Sequence, residues 1–543
     1  MKTNRTVLAP IFVALVAMAT GGWFLQRGVG QERNVYANAQ LFEQVLSYVS
    51  QVFVDEEAPD SLYRMAIDGM LQELGDPHTA FLPAKDYENL RIQTQGEYGG
   101  LGISILKRAG WVTIVAPLPG TPGERAGLRA GDQIIEVNGE STKDWDDDLA
   151  VTRLRGPKGT VVDLKVARLG ATKPIPFRIT RDEIHIRSVP TAYMIDKDVG
   201  YVELVSFSES STSEMRMAID KLRGQGAKGI ILDLRGNPGG LLEEGVSLSD
   251  LFLDAGMPVV DTKGRWSQST QSLSASTPDE YAGMPLVVVV GPNSASAAEI
   301  VAGALQDHDR ALVVGRPTYG KGSVQTVFRL SGNNHLKLTT ARWYTPSGRS
   351  IQRPYSVGHP IADLSAAEDA DTTETTYTTD SGRTVTGGGG IHPDLLIESD
   401  TTTLDERELI GALQQADWAK YLETLFAFGV RYNKEHPELQ PGFPITPAAL
   451  NEFYAALRDS GLDIDRSLYD GGKRWIAYQI GQEITMSRWG VAERRERQNR
   501  DDPSILAAVD LLKQADSPSS LFALAAQYEA AMKTAAAGPG SQN

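Results

Sequence analysis

Leu286-Val-Val-Val-Val-Gly-Pro-Asn-Ser-Ala-Ser-Ala-Ala-Glu-Ile300 is the stretch that decides the fold of this chain. Its first part, residues 286–290, is continuously apolar, which is typical of a strand buried on both faces of a parallel sheet. A turn rich in small and polar residues follows, and the spacing after Ser296 predicts a helix that ends near Asp307. The stretch therefore predicts the strand–turn–helix unit from which α/β layers are built.

The same alternation extends to both sides of this stretch. Further strands are predicted over 200–205, 229–234, 311–315, 324–330 and 336–343. Helices are predicted over 213–222 and 240–253. Strands that alternate with helices indicate an α/β core, to which we assign residues 186–402.

The segments around this core differ from it in pattern, so the chain is predicted to be a multidomain α/β protein. The predicted parts are a signal peptide or membrane anchor (1–30), an N-terminal helical region (31–95), a β- and glycine-rich module (96–185), a helical C-terminal region (403–534) and a disordered tail (535–543). Within the core, the polar composition of residues 364–390 predicts an insertion, either a mobile loop or an exposed hairpin.

Composition excludes several classes of function. The 543 residues carry a formal net charge of −16, which argues against nonspecific nucleic-acid binding, because such binding needs clustered positive charge. The chain has no cysteine, so disulfides, thiolate nucleophiles and cysteine metal sites are not possible. No motif for a metal or a cofactor stands out, and none is expected.

The N-terminus carries the pattern of an export signal. Lys2 and Arg5 precede an apolar run from Val7 to Leu25. Cleavage after a small-residue motif is possible at Ala17-Met-Ala19 or at Ala37-Asn-Ala39, and retention as an anchor is slightly favoured. We therefore expect the chain in the bacterial periplasm or at the periplasmic face of the inner membrane.

Ser296 and Lys321 are the candidate catalytic pair. A serine hydroxyl becomes a nucleophile only when a base removes its proton. An ordinary lysine is neutral in only about one molecule in 2,500 at pH 7, but burial can lower its pKa by roughly 3 to 5. Lys321 stands between two glycines and follows a predicted buried strand, so it has the surroundings in which such a shift can occur.

An oxyanion hole is expected at the predicted helix start. The free N–H groups and the positive dipole end of a helix favour developing negative charge there. The N–H of Ala297 is the first candidate donor. A second could come from Gly240 in the turn Asp233-Leu-Arg-Gly-Asn-Pro-Gly-Gly240.

Less specific interpretations compete with this chemistry. Ser296 with Glu299 matches a capping box, and Ser294 is both a rival cap and a rival nucleophile. Gly315-Arg-Pro-Thr-Tyr-Gly-Lys321 is close to a phosphate-binding loop, but Gly follows the lysine and the next residues alternate like a strand. His308 lies at the far end of the helix and is predicted to be a surface residue.

The stretch from Leu286 to Gln325 resembles the C-terminal processing proteases, also called tail-specific proteases. Their motif Ser-Ala-Ser-Ala-x-Glu-Ile uses its second serine, and a Gly-Lys-Gly turn and a glutamine four residues later complete it. The resemblance implies that Ser296 is the nucleophile, Lys321 the general base and Gln325 the residue that orients the lysine. It also implies a ClpP/crotonase-like α/β protease core with an inserted β-rich domain, in which residues 353–389 are an insertion relative to typical members.

Residues 96–185 resemble a PDZ domain. Leu101-Gly-Ile103 matches the loop that binds a C-terminal carboxylate, and Ala126-Gly-Leu-Arg-Ala-Gly-Asp132 and Val137-Asn-Gly139 support the match. The resemblance implies that the N–H groups of Leu101, Gly102 and Ile103 capture a free C-terminus while the peptide adds as a strand. The alternative is another small β-barrel.

These observations predict an exported serine endopeptidase that binds C-terminal tails and cuts near them. The alternatives are a catalytically silent PDZ scaffold and a carrier of apolar ligands on a related core. Expected partners are proteins or peptides with free C-terminal tails, with membrane contact through the N-terminal segment. The helical C-terminal region is expected to mediate assembly into a homo-oligomer or to dock an adaptor protein.

Overall fold

The computed structural model describes residues 35–353, 375–398 and 402–536. The predicted export segment and most of the predicted insertion lie outside these residues. The described residues fall into two compact units, one made of residues up to Ala84 together with Gln325–Thr339, the other of Lys85–Val324 together with the residues from Thr340 onward. No helix of the described ranges has both the length and the apolar character that a bilayer span needs.

The helices match the predicted pattern along the chain. They are α1 (35–52), α2 (Pro59–Glu73), α3 (Ala84–Gln95), α4 (Pro122–Arg125), α5 (Asp147–Leu154), α6 (Ser211–Gly224), α7 (Leu242–Asp250), α8 (Ala297–Asp307), α9 (Leu404–Glu435), α10 (Pro447–Asp459), α11 (Arg466–Gly471), α12 (Lys473–Trp489), α13 (Val491–Asn499), α14 (Pro503–Gln514) and α15 (Pro518–Ala536).

The strands cluster between residues 80 and 396. They are β1 (Ala80–Leu82), β2 (Glu97–Gly100), β3 (Ile103–Arg108), β4 (Trp111–Pro117), β5 (Gln133–Val137), β6 (Glu140–Ser141), β7 (Val161–Ala167), β8 (Ile175–Thr180), β9 (Asp182–His185), β10 (Thr191–Met194), β11 (Val199–Glu203), β12 (Gly229–Asp233), β13 (Pro258–Lys263), β14 (Gln271–Ser274), β15 (Leu286–Val290), β16 (Leu312–Gly315), β17 (Ser323–Arg329), β18 (His335–Tyr344), β19 (Thr376–Thr378), β20 (Thr384–Thr386) and β21 (Leu395–Leu396).

The core of the second unit is a six-stranded sheet in the order β10-β11-β12-β15-β16-β21. The strands from β11 to β21 pair in parallel, and β10 pairs antiparallel to β11. Every residue of β11, β12, β15 and β16 is buried, as their apolar runs predict. Helices α6, α7 and α8 pack on one face of this sheet, so the α/β fold class is confirmed.

The opposite face of the sheet is covered from the C-terminus of the chain. Ile231, Val287 and Val289 point to this face and pack against residues of α14 and α15, among them Leu511 and Leu521. The predicted helical region over 403–534 divides into two parts. Helices α9 to α12 form an apolar core of their own, whereas α14 and α15 complete the α/β core, because the parallel sheet must be buried on both faces.

Residues 103–180 contain an antiparallel sheet in the order β3-β4-β5-β7-β8, with β6 paired to β5. Its apolar side packs against α5, and Ile114, Ile134 and Leu164 lie at the centre of that cluster. The two ends of the module meet in the ribbon β2–β9, in which Glu97 opposes His185. Strand β3 lies at the edge of the sheet, and among the described strands it has β4 alone as its neighbour in that sheet.

The first unit and the second unit each contain part of β17 and of β18. In the first unit β1 pairs antiparallel with the beginning of β18, with Phe81 opposite Leu336. In the second unit the end of β18 pairs with β13, where Trp343 opposes Thr262. The two long strands predicted over 324–330 and 336–343 are confirmed.

The described part of the insertion is a hairpin, β19–β20, which was the second of the two predicted alternatives. It packs on the end of α8 through Arg383, which bonds Asp309 at 2.6 Å and also bonds Asp394. His308 bonds Asp380 of the hairpin at 2.7 Å and the carbonyl of Pro258 at 2.7 Å. The prediction that His308 is a surface residue is wrong, because its side chain is only 5% exposed.

Candidate active site

Ser296 stands where the turn after β15 enters α8, at the N-cap of that helix. Its backbone angles are φ 55° and ψ −117°, which a residue other than glycine adopts only under strain. Such a strained turn between a strand and a helix is how α/β hydrolases expose a nucleophilic serine. Ser296 is half-buried.

Ser294, the rival nucleophile, is fully buried. Its hydroxyl donates to the carbonyl of Leu234 at 2.8 Å and accepts the N–H of Gly291 at 3.0 Å. These bonds connect the turn after β15 with the end of β12. Ser294 therefore has a structural role in the turn.

Glu299 connects the two candidate catalytic segments. It is fully buried on α8, and its Oε2 accepts the N–H groups of Ser296 at 2.8 Å and of Lys321 at 2.9 Å. Its Oε1 accepts the hydroxyl of Thr318 at 2.5 Å and the N–H of Gly320 at 2.7 Å. The bond to Ser296 is half of the predicted capping box, and the other three bonds go to the loop that carries Lys321.

The loop that carries Lys321 is fixed from both sides. The carbonyl of Lys321 accepts the indole N–H of Trp343 at 3.0 Å, and Gly322 N–H donates to Gln352 at 3.0 Å. Strand β17 begins at Ser323, so the lysine is followed by a strand. The phosphate-loop interpretation is excluded, because such a loop must open a helix.

The glycine turn after β12 lies against the start of α8. Gly239 has φ 93°, and a Cβ there would come within 2.7 Å of Ser296 Cβ and 2.9 Å of Ala297 N. Asn237 holds this turn, because its Oδ1 accepts Gly239 N–H at 2.8 Å and its carbonyl accepts Ala295 N–H at 2.9 Å. Only glycine permits this approach of the two backbones.

The two predicted oxyanion donors are available. Among the described residues, neither the N–H of Gly240 nor the N–H of Ala297 donates a hydrogen bond to the protein. Gly240 has φ 152° and is exposed, and it follows Gly239, which lies against the start of α8. Unused N–H groups near a helix N-terminus are what an oxyanion hole requires.

Gln325 lies on β17 and is half-buried. Its side-chain amide donates to the hydroxyl of Thr339 at 3.2 Å, within the first unit. Its role in orienting Lys321 stays a prediction.

The predicted peptide-binding loop has the shape of a tight turn before the edge strand. Leu101 is buried, Gly102 has φ 69°, and Ile103 is the first residue of β3. The carbonyl of Gly102 accepts the N–H of Leu118 at 2.8 Å and the hydroxyl of Thr121 at 2.9 Å. The loop is therefore fixed, while the outer edge of β3 has no partner strand in its sheet.

The sequence interpretation missed two residues that shape this site. Glu299 was assigned only to a helix cap, and Asn237 only to a turn. The missed signal is a polar residue that folding buries completely, since both are 0% exposed. Burial of this kind requires several hydrogen bonds, but a single sequence does not reveal which groups supply them.

Comparisons with known proteins agree with this geometry. The profile of peptidase family S41 matches residues 198–359, and that of the PDZ domain matches residues 113–168. A carboxy-terminal-processing protease of Bartonella bacilliformis is 40% identical over 325 residues, which cover 59% of this chain and 74% of the relative. The carboxy-terminal processing protease CtpA of Bacillus subtilis is 36% identical over 312 residues, with 58% and 65% covered.

Among solved structures, the photosystem II D1 C-terminal processing protease is 32% identical, with 57% of this chain and 83% of that chain covered and a TM-score of 0.34. The sequence match to the Bartonella relative extends over three quarters of that protein, and the family profile matches the segments that carry Ser296 and Lys321. The chain therefore belongs to the carboxy-terminal-processing proteases of peptidase family S41, which are serine proteases with a PDZ domain.

Proposed function

We propose that this protease is exported, binds the free C-terminal tails of proteins in its PDZ domain and hydrolyses peptide bonds with a Ser296/Lys321 dyad. The observation that carries the proposal is the shared contact at Glu299. One carboxylate oxygen accepts the backbone N–H groups of both dyad residues, so the two segments converge on one point. The strained backbone of Ser296 and the free donors beside it support the same assignment.

The first chemical step is acylation. The neutral amine of Lys321 takes the proton of the Ser296 hydroxyl while Oγ bonds to the carbonyl carbon of the peptide. The carbonyl electron pair moves to oxygen, where the N–H groups of Gly240 and Ala297 and the N-terminus of α8 stabilise the negative charge. When the tetrahedral intermediate collapses, Lys321 returns the proton to the leaving amine, and an acyl-enzyme remains.

The second step is deacylation. Lys321 takes a proton from a water molecule, which attacks the ester carbonyl through the same oxyanion geometry. Collapse of this intermediate returns the proton to Ser296 and releases the new carboxylate. Gln325 orients the amine of Lys321 in this scheme, by resemblance to the family.

Tail binding would use the edge of β3. The N–H groups of Leu101, Gly102 and Ile103 would donate hydrogen bonds to the terminal carboxylate, and the peptide would extend the sheet antiparallel to β3. The fixed turn at Gly102 supports this role, because a preformed loop loses little conformational freedom on binding.

A cleavage assay tests the dyad. An unfolded substrate with a tagged C-terminal tail is incubated with wild type, Ser296→Ala or Lys321→Ala, and the products are identified by mass spectrometry. We expect cleavage only with wild type and with the control Ser213→Ala, which changes an exposed serine on α6. Full activity of either dyad variant would overturn the assignment.

Export is tested by a fusion of residues 1–30 to alkaline phosphatase, an enzyme that needs periplasmic disulfides to become active. We expect phosphatase activity in intact bacteria, together with membrane association if the anchor is retained. Activity no higher than that of a leaderless fusion would contradict export.

Assembly through the helical C-terminal region completes the proposal, with adaptor docking as its alternative. Light scattering should be done on the full chain, because truncation near residue 403 would also remove α14 and α15 from the core sheet. A monomeric mass at micromolar concentration would contradict self-assembly and favour the adaptor.

A further inference from the structure

Glu299 accepts four hydrogen bonds beside the proposed dyad. All four of its partners are donors, namely the N–H groups of Ser296, Gly320 and Lys321 and the hydroxyl of Thr318. Its side chain is 0% exposed, in the first turn of a helix that is buried along its whole length. A carboxylate surrounded only by donors fits the ionised form, since a protonated carboxyl would place a hydrogen against another donor.

The arrangement is more than a helix cap. Capping needs only the bond from Glu299 to Ser296 N–H, which an exposed glutamate also provides. Here three further bonds go to Thr318, Gly320 and Lys321, which lie on a loop far along the chain. Burial raises the pKa of Glu299, whereas the four donors oppose that shift and favour the charged form.

We infer that Glu299 is a positioning residue of the protease, which sets the separation of the nucleophile and the base by holding both backbones on one oxygen. The inference rests on the proposed dyad. The Oε2 atom lies 2.8 Å from Ser296 N and 2.9 Å from Lys321 N, so displacement of this oxygen moves both residues. The same carboxylate fixes Thr318 and Gly320, so the loop before Lys321 cannot shift alone.

Glu299→Gln is the first test, because it preserves the shape of the side chain. The amide replaces one acceptor oxygen by an NH₂ group, which must face at least one backbone N–H donor whichever way it is turned. We expect kcat to fall by about 100-fold, as small misplacements of reacting groups typically cost. We expect KM for a tailed substrate to stay unchanged, because the PDZ loop is not touched.

A labelling experiment separates positioning from a merely structural role. A fluorophosphonate that reacts with activated serines gives the fraction of labelled protein at completion and the rate constant of labelling. For Glu299→Gln, positioning predicts a wild-type fraction and a lower rate constant. A structural role alone predicts a lower fraction with an unchanged rate constant, and that result would overturn the inference.

The control is Glu408→Gln, which changes an exposed glutamate of α9 and should leave both quantities unchanged. If Glu299→Gln does not fold, Glu299→Asp decides, because it keeps the charge but is one methylene too short to reach all four donors. A wild-type labelling rate in the aspartate variant would then contradict the inference.

The same assay keeps the two proposals apart. If Ser296→Ala and Lys321→Ala are inactive while Glu299→Gln has wild-type rates, only the positioning role fails. If Ser296→Ala or Lys321→Ala remains active, the dyad itself fails, whatever the result for Glu299.

Discussion

In the proposed dyad Lys321 acts only as a neutral amine, and this requirement distinguishes it from a residue that merely supplies positive charge. Arginine would preserve the charge and much of the length, but its guanidinium does not deprotonate in proteins. We therefore predict that Lys321→Arg loses activity as completely as Lys321→Ala in the cleavage assay. Retained activity in the arginine variant would show that the lysine acts by charge alone.

Gly239 is predicted to be essential because its neighbours leave no room for a Cβ atom. In Gly239→Ala the new Cβ would lie 2.7 Å from Ser296 Cβ and 2.8 Å from the carbonyl of Ala295, and φ is 93°. The displaced turn would move the N–H of Gly240, which is a proposed oxyanion donor. Loss of one such donor costs about 2.7 to 4 kcal/mol of transition-state stabilisation.

The matched control is Gly236→Ala in the same turn. It has φ 73°, but no atom lies within 4 Å of the added Cβ. We expect a cost in unfolding free energy of about 1 kcal/mol and a normal kcat for this variant. Equal kcat values for the two alanine variants would refute the steric argument.

At the level of residues, the sequence supported Ser296 and Lys321 because each has a chemical motif of its own. Glu299 and Asn237 escaped because their roles depend on backbone groups that become neighbours only in the fold. Gln325 could be named from resemblance alone, since a glutamine on an alternating strand has no distinctive pattern.

Among the elements, strand β3 offers a peptide-binding edge of limited length. The N–H of Lys107 is already used, because it donates to Asp147 of α5 at 2.8 Å. N–H groups two residues apart on a strand point to the same side, so Ile103 and Ile105 direct theirs to the same edge. A bound tail can therefore pair with two N–H groups of β3, those of Ile103 and Ile105, before it reaches Asp147.

We predict that Asp147→Ala strengthens binding of a tail of five or more residues and leaves a three-residue tail unaffected. The freed Lys107 N–H could form one more hydrogen bond, worth about 0.5 to 1.5 kcal/mol. Fluorescence polarisation with labelled peptides of both lengths measures the effect. An equal gain in affinity for both peptide lengths would show that Asp147 acts by its charge and not by occupying the N–H of Lys107.

The hairpin β19–β20 illustrates what the sequence left open at this scale. Its polar composition allowed either a loop or a hairpin, and no periodicity indicated where it would dock. Docking depends on the charges at the end of α8, where Arg383 bonds Asp309 and Asp394 and stacks on Phe522 of α15 at 4.2 Å. These partners are distant in sequence or lack a motif, so only the structure could reveal them.

We predict that Arg383→Ala loosens this hairpin without unfolding the core sheet. The substitution removes two carboxylate contacts and the ring contact with Phe522. Hydrogen exchange of residues 376–386 should become faster, while exchange in β15 should stay slow. Unchanged exchange in the hairpin would mean that His308 and the backbone bonds suffice to hold it.

In the molecule as a whole, the apolar patterns predicted the parallel sheet, but they did not predict which segment of the chain covers its second face. Nothing in the periodicity of α14 distinguishes it from α10 or α12, since all three carry an apolar face. The buried positions of β12 and β15 alternate between two faces, and this alternation shows that a second layer of helices is required. The layer comes from the chain end, beyond a separately packed helical region.

That helical region also contacts the PDZ module within the second unit. The guanidinium carbon of Arg108, at the end of β3, lies 4.1 Å from the centre of the Phe426 ring, and the guanidinium donates to the carbonyl of Leu422 at 3.2 Å. Burial lowers the pKa of Arg108, and the nearby Glu483 opposes this shift. A partly desolvated cation over an aromatic ring is worth up to about 2 kcal/mol, so this contact can hold the module against α9.

We predict that Arg108→Ala uncouples the unfolding of the PDZ module from that of the rest of the chain. Calorimetry of the variant should show a separate transition below the main one, whereas Arg178→Ala, an exposed arginine of β8, should match wild type. A double-mutant cycle with Phe426→Ala should give a coupling energy of about 0.5 to 2 kcal/mol. Additive effects in this cycle would mean that the two side chains act independently, and the module would then be held by other contacts of α9, such as the approach of Val430 to Gly131.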